Sequence, residues 1–222
     1  SMFAIQRKVF GGSQIGAFIV NRETFGNYDF LEANDKYNRV VGLDYNLASS
    51  NNRWIGKFYT HKSFKPNDKE GNLSSFASIL YNTREWRLYS NTVFVDEDFR
   101  SDLGFIRRTG IIKTGNSITR NFYPKKGKIN SHGFRFLHLS WLQQNLNYFK
   151  TDESFNFEYT LSTNNQNQLQ LGFNNKFVFL FNSFDPSRTD GALELPSETD
   201  YNYNEWNLNY RLNFANPLIF NS

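Results

Sequence analysis

The sequence predicts an all-β protein, an antiparallel up-and-down β-barrel of about 10–14 long strands. Three observations carry this reading. Apolar and polar residues alternate with period two along most of the chain, and helical periodicity is almost absent. The alternating segments run to roughly 8–12 residues, where globular strands centre on about 5–6. Clusters of Gly, Asn, Ser and Asp punctuate them as turns.

Taken in order, Phe3–Val9 and Gln14–Arg22 read as strands around the turn Phe10-Gly11-Gly12-Ser13. Val41, Leu43, Tyr45 and Leu47 alternate with Gly42, Asp44, Asn46 and Ala48, and Ser49-Ser50-Asn51-Asn52 closes that strand. Extended segments follow at Arg53–Lys62, Leu73–Asn82, Glu85–Val95, Gly104–Thr114, Ser117–Tyr123 and His132–Leu146, with a turn at Asn82-Thr83-Arg84. Phe155, Phe157, Tyr159 and Leu161 alternate with Asn156, Glu158, Thr160 and Ser162 up to the turn Thr163-Asn164-Asn165-Gln166. Leu169, Leu171 and Phe173 form the next apolar face, and Lys176–Asn182 reads as a separate strand. After a turn at Asp190-Gly191, Trp206, Leu208, Tyr210, Leu212 and Phe214 oppose Asn207, Asn209, Arg211 and Asn213. Longer polar stretches lie at Phe25–Lys36, Phe64–Asn72 and Asp185–Asp200. No internal repeat of fixed period marks a propeller or β-helix.

The 222 residues fit one domain, read as residues 3–222, either a whole barrel or a fragment of one. Ser1-Met2 reads as a cloning scar, so the expectation is an excised piece whose targeting signal lay upstream. The longest apolar run, Phe177–Phe181, is far short of the ~20 residues a spanning helix needs. With no Cys, disulfides, thiolate zinc sites and cysteine nucleophiles are excluded. The net charge of +4 is dispersed, and its tightest run, Lys125-Lys126-Gly127-Lys128, reads as a solvated turn. No basic helix or RNA-binding motif accompanies it, so nucleic acid is not an expected partner.

Aromatics make up 18% of the residues, with 24 Phe and 12 Tyr, yet Asn is also abundant. A period-two strand segregates the two populations onto opposite faces. The polar faces carry Asn, Gln, Ser, Thr and Gly with isolated charges, which suits a confined lumen better than bulk water. Arg107, Glu158, Asn207, Asn209 and Arg211 are the candidate lumen-facing residues. The apolar faces suit lipid, and a strand that crosses a bilayer at a tilt needs about 9–11 residues. Trp54, Trp86, Trp141 and Trp206 are candidates for an aromatic girdle; the competing reading makes them the core of a sandwich. Gly16, Gly42, Gly56, Gly104, Gly110 and Gly172 fall within strands, where glycine marks bends or close packing. These readings place the chain in a bacterial outer membrane, with lipid as a partner.

Chemical motifs are sparse. His61, His132 and His138 lack metal-ligand spacing. In Asp96-Glu97-Asp98 and Asp152-Glu153 adjacent carboxylates point to opposite faces, so neither run supplies a glycosidase acid/base pair. Phe184–Gly191 has closely spaced oxygens without the full spacing of a calcium loop. No phosphate-binding loop, dinucleotide fingerprint or nucleophile elbow occurs. The expectation is a non-enzymatic chain with no cofactor and no metal.

Two segments resemble a known family: Tyr37-Asn38-Arg39-Val40-Val41-Gly42-Leu43-Asp44 and Asp98-Phe99-Arg100-Ser101-Asp102-Leu103-Gly104-Phe105-Ile106-Arg107-Arg108. Gln14-Ile15-Gly16 and Asn21-Arg22-Glu23 fit the opening of the same pattern. The family is an uncharacterised group of Bacteroidota surface proteins in which a periplasmic domain similar to carbohydrate-binding module 9 precedes an outer-membrane barrel. The resemblance spans Phe3–Phe214 and implies part of that barrel. It also implies a channel, anchor or surface-assembly role linked to glycans or other envelope proteins. The alternatives are a soluble β-sandwich or jelly roll that binds glycans, and an accessory domain of a glycoside hydrolase. The direction in which the apolar face of Trp206–Phe214 points discriminates among them.

Overall fold

The computed structural model describes residues 1–26, 32, 35–67, 70, 72–189 and 191–213. Eleven strands follow one another: β1 (Met2–Val9), β2 (Ser13–Glu23), β3 (Tyr37–Ala48), β4 (Trp54–Phe64), β5 (Leu73–Asn82), β6 (Trp86–Val95), β7 (Ile111–Phe122), β8 (Ile129–Gln143), β9 (Phe149–Thr163), β10 (Gln168–Leu180) and β11 (Thr199–Arg211). They form one antiparallel sheet in which each strand neighbours the next, from β1 at one end of the order to β11 at the other. The predicted all-β, antiparallel, up-and-down arrangement is therefore present. Among the described residues no helix is long and apolar enough to cross a membrane; this says nothing about strands.

The connections alternate in length. Those after odd-numbered strands are short, at residues 10–12, 49–53, 83–85, 123–128 and 164–167. Those after even-numbered strands span 24–36, 65–72, 96–110, 144–148 and 181–198, and only one of them is short. Left-handed backbone at Phe10, Gly11, Asn52, Gly127 and Gln166 lets the short turns reverse.

Three expectations change. The expected strand Gly104–Thr114 is extended only from Ile111 onward, where β7 begins. The stretch 96–110 is a connection, with a turn from Gly104 N–H to the Ser101 carbonyl (3.2 Å) and a left-handed Gly110 (φ 68°) that stops an extended chain before Ile111. Arg107, Gly104 and Gly110 thus lie outside any strand, and Ser117–Phe122 belongs to a longer β7. Leu169–Phe173 and Lys176–Asn182 are one strand, because β9 pairs with β10 without a break through Asn174 and Asn175. β11 begins earlier than its apolar alternation, at Thr199, since pairing with β10 orders Asp200–Glu205 too. Phe214, and Asp190 of the proposed turn, lie outside the described residues.

The chain divides into two units. The first comprises Ser1–Asn82, Tyr89–Thr114 and Leu142–Phe149. The registers of β1–β5 put Phe3, Ile15, Ile19, Leu43, Trp54 and Ile79 on one face, and Gln6, Asp44, Asn46, Lys57, His61 and Ser74 on the other. Burial is inverted relative to a water-soluble sheet. Leu43 on the apolar face is 59% exposed, whereas Asn38, Val40, Ser63 and Ser74 on the polar face are all buried. A small apolar cluster of Val40, Val95, Phe99 and Ile111 sits at the long-connection end.

The second unit comprises Thr83–Leu88, Gly115–Trp141 and Lys150–Ser222. Cross-strand rows run Phe157–Phe173–Trp206 and Tyr159–Leu171–Leu208 on its apolar face, and Glu158–Gly172–Asn207 on its polar face. The apolar face again stays open, with Phe155, Phe157, Leu171, Trp206 and Leu208 exposed. Gly133 shows where close approach requires glycine: a Cβ there would lie 2.6 Å from the Arg120 carbonyl oxygen, a backbone atom that cannot swing aside. Gly133→Ala is expected to destabilise the fold by about 1–3 kcal/mol. Gly172→Ala meets only the Asn207 amide end, which can rotate away, and costs less. Denaturant midpoints that rank the two variants the other way round would contradict this.

Candidate functional site

The most organised polar site lies in the first unit, where the 96–110 connection is fastened to the polar side of the sheet. Asn38 is its hub. Arg22 and Asn38 are paired across β2 and β3, so both side chains share the polar face. The Asn38 amide donates to the Arg100 carbonyl (3.0 Å) and accepts from the Asp102 N–H (3.0 Å). Ser63, fully buried on β4, accepts the Arg100 N–H at 3.2 Å. Phe99 inserts into the apolar cluster beside Val40. Asp96 is buried; it accepts from the Leu73 N–H and from Gln144 Nε2, both at 3.0 Å.

A charged chain closes the arrangement. Arg22 donates from Nε to Asp102 at 2.9 Å and also bonds the Asp35 carbonyl and the Thr24 hydroxyl. Arg100 reaches the other Asp102 oxygen and, at 2.7 Å, the Asp35 carboxylate. Burial pushes the Asp102 carboxyl up, but the hydrogen bonds and charges of Arg22 and Arg100 outweigh it and hold Asp102 below its usual range. The same bonds to Asp35 and Asp102 raise Arg100. Residues far apart in the chain therefore meet: Arg22 on β2, Asn38 on β3, and Arg100 and Asp102 on the 96–110 connection. Beyond this base, Leu103, Phe105, Arg107 and Arg108 are exposed.

A second cluster lies further along the same polar face. His61 Nε2 is 3.3 Å from an Asp44 oxygen, stacks on Tyr59 (4.3 Å between centroids) and meets the Phe18 edge (4.9 Å). The Phe18 and His61 rings fold over Gly42, where a Cβ would fall 2.3 Å and 2.5 Å from them. Beside it, a cleft of about 520 Å³ runs over Ala4 and Gly16, with Gln6, Asp44, Asn46 and Lys57 around it. The small residues Ala4 and Gly16 line this cleft.

In the second unit, four of the five candidate lumen residues share one face. Glu158 accepts from Gln170 Nε2 at 2.6 Å, and Asn207, Asn209 and Arg211 follow along β11. Asn156 bonds Asn174, and Lys176 bonds Glu205 at 2.7 Å, so this face is laced by amides and paired charges. Arg107 stands apart, exposed on the 96–110 connection. Trp54 packs on Tyr81 (4.8 Å) and Trp86 lies under Arg120 (4.6 Å), each on the first residue of its strand next to a short turn. Trp206 packs on Phe173 (4.6 Å) in mid-strand and is 81% exposed, and Trp141 is half-buried near the end of β8.

His138 does find an acidic partner, Glu153, at 3.1 Å, and Glu153 also takes Lys150 at 2.6 Å. Asp185 is consumed by its own loop: it accepts from the Ser187 N–H and hydroxyl and the Thr189 N–H. Those bonds, led by the Ser187 hydroxyl, hold Asp185 below its usual range. Among the described residues no group of three or more His, Asp or Glu is placed to hold a metal ion. Chemically, the polar faces can fasten a connection and present amides, hydroxyls and paired charges to a polar solute. Sequence reasoning missed Arg22, Asn38 and Asp102 as a set, because strand register and not spacing brings them together.

No protein-family model, curated protein or solved structure matches this chain.

Proposed function

We propose that this chain is an outer-membrane β-barrel, or a portion of one, from a bacterial cell envelope. It works without catalysis, as an anchor, channel wall or surface-assembly element, and membrane lipid is its first partner. One observation carries the reading: in both units large apolar side chains stand exposed on one face of the sheet, and in the first unit the buried strand residues Asn38, Ser63 and Ser74 lie on the opposite, polar face. A band this apolar is costly in water and favourable in hydrocarbon. Strands of 10 to 15 residues from β2 onward have the length for a tilted crossing. Short turns alternating with longer connections fit the same class.

The soluble sandwich or jelly roll is less well supported. Those folds need connections that skip neighbours in the sheet, and here every strand pairs with its successor. A glycan link and a Bacteroidota source rest on the sequence resemblance alone. The test is solubility and lipid contact. The refolded chain is expected to require detergent, and its tryptophan emission to be quenched in vesicles of brominated phosphatidylcholine. A monomer stable in plain buffer, with unquenched emission in such vesicles, contradicts the proposal.

A further inference from the structure

We propose that the short-turn end of the second unit is a binding surface for the phosphate headgroups of anionic phospholipids, an inference that rests on the bilayer placement proposed above. Residues 84–86 and 120–128 carry five cationic side chains and one carboxylate. Their net charge equals the +4 of the whole chain, so the remaining residues balance to zero. Strand order brings the run Lys125-Lys126-Gly127-Lys128 beside a second cationic turn, because β6 begins where its neighbour β7 ends. The Asn121 N–H donates to the Glu85 carbonyl (2.8 Å), and the Tyr123 hydroxyl donates to the Arg84 carbonyl (3.0 Å). The turn at 164–167 is tied to the same place by Asn164, which donates to the Lys128 and Gly127 carbonyls, both at 2.9 Å. That turn holds amides and no charge.

The surroundings of these cations select a lipid. Trp86, Phe122 and Tyr123 are exposed at this end. The Arg84 guanidinium lies over the Tyr123 ring (4.4 Å), and that of Arg120 lies over Trp86 (4.6 Å) and Phe122 (5.1 Å). Such rings settle at headgroup level in a bilayer, so guanidinium groups held against them stand at the depth of the phosphates. Of the five cations only Arg120 has a carboxylate partner among the described residues, Glu85 at 2.7 Å. The three lysines are exposed, and their long stems carry the ammonium groups out to the phosphates. The long connection of this unit, residues 181–198, has the reverse balance, with Arg188 against Asp185, Asp190, Glu194 and Glu198. An anionic headgroup is thus drawn to one end of the unit and repelled from the other.

Trp86 reports on this place. With Trp54→Phe, Trp141→Phe and Trp206→Phe, it is the one tryptophan left. The chain is folded into phosphatidylcholine vesicles containing a minor fraction of brominated lipid, and circular dichroism checks the fold. At low salt, brominated phosphatidylglycerol is expected to quench Trp86 about fivefold more effectively per molecule than brominated phosphatidylcholine, the factor one cation near an anionic headgroup supplies. The preference should fall toward equality in about 0.5 M salt. Lys125→Gln, Lys126→Gln and Lys128→Gln together should bring it close to one, and in an exposed turn they put the fold at little risk. The chain with all four tryptophans should show the same preference in diluted form, so the result does not depend on the Trp→Phe background. Quenching by both lipids without preference assigns the basic turn to another anion; it overturns this inference and leaves the bilayer placement standing. Quenching by neither lipid removes both. A preference that survives high salt, or one that the triple lysine variant retains, also overturns it.

Discussion

Arginine at Leu43 or at Phe157 is expected to prevent folding into lipid vesicles, at a cost of roughly 2–4 kcal/mol for each site near the bilayer midplane. Both positions are mid-strand on an apolar face. Leu43 lies between Ala17 and Thr60 in its cross-strand row, and Phe157 lies in the row of Phe173 and Trp206. Both are well exposed, so neither substitution buries a charge inside the protein. In water, replacing an exposed apolar side chain shifts stability by no more than about 0.5 kcal/mol. The predicted loss therefore comes from the solvent on that face, and its size separates hydrocarbon from water. Asn209→Arg on the polar face is the control and is expected to fold as the parent does. Folded fractions in dilauroyl-phosphatidylcholine vesicles, read by heat-dependent gel mobility, give the comparison. Leu43→Arg and Phe157→Arg folding to the parental extent would sink the lipid-facing assignment.

Asn38→Ala is expected to release the 96–110 connection while leaving the sheet intact. The substitution removes the amide that bridges the Arg100 carbonyl and the Asp102 N–H in a buried setting. Leaving those two backbone groups without partners costs about 2–3 kcal/mol in total, because each unmade buried bond carries its desolvation penalty. Hydrogen exchange at the Arg100 and Asp102 amides should then accelerate by roughly thirty- to hundredfold, with the β9–β10 amides unchanged. Asp102 adds a pH dependence of fixed sign. Its folded carboxyl titrates below the ordinary value, so its contribution is complete above about pH 4 and is lost as the pH falls through the lower folded value. Protection of the connection should be flat from neutrality down to that range and decline in stronger acid. Asp102→Asn should remove the acid step and reduce protection at neutral pH. Unchanged exchange in Asn38→Ala, or a parent whose connection loosens toward high pH, contradicts this account.

The strands were legible because alternation is local information. Each pair such as Phe157 and Glu158 declares its face without reference to the rest of the chain, and the turns at Gly11 and Asn164 mark where pairing reverses. Legibility failed where pairing, not pattern, decides. Asn174-Asn175-Lys176 breaks the apolar alternation, yet the strand continues because Asn156, Phe155 and Ser154 of β9 pair opposite it. Gly104-Phe105-Ile106-Arg107 has an extended composition, yet anchors on either side at Asp102 and Gly110 hold it as a connection. The fastening of Asp102 to Arg22 links residues eighty apart in sequence, and only the registers of β2 and β3 create it. Neither the spacing of these residues nor their types announces that contact.

The most direct test asks which solvent each face meets. In a chain without native Cys, single nitroxide labels at positions 43 and 157 report on the apolar faces, and labels at 44 and 158 on the polar faces. In vesicles, the first pair should collide readily with oxygen dissolved in the bilayer and little with an aqueous nickel chelate, and the second pair should show the opposite preference. Labels at 43 and 157 relaxed mainly by the nickel chelate would contradict the membrane-barrel account.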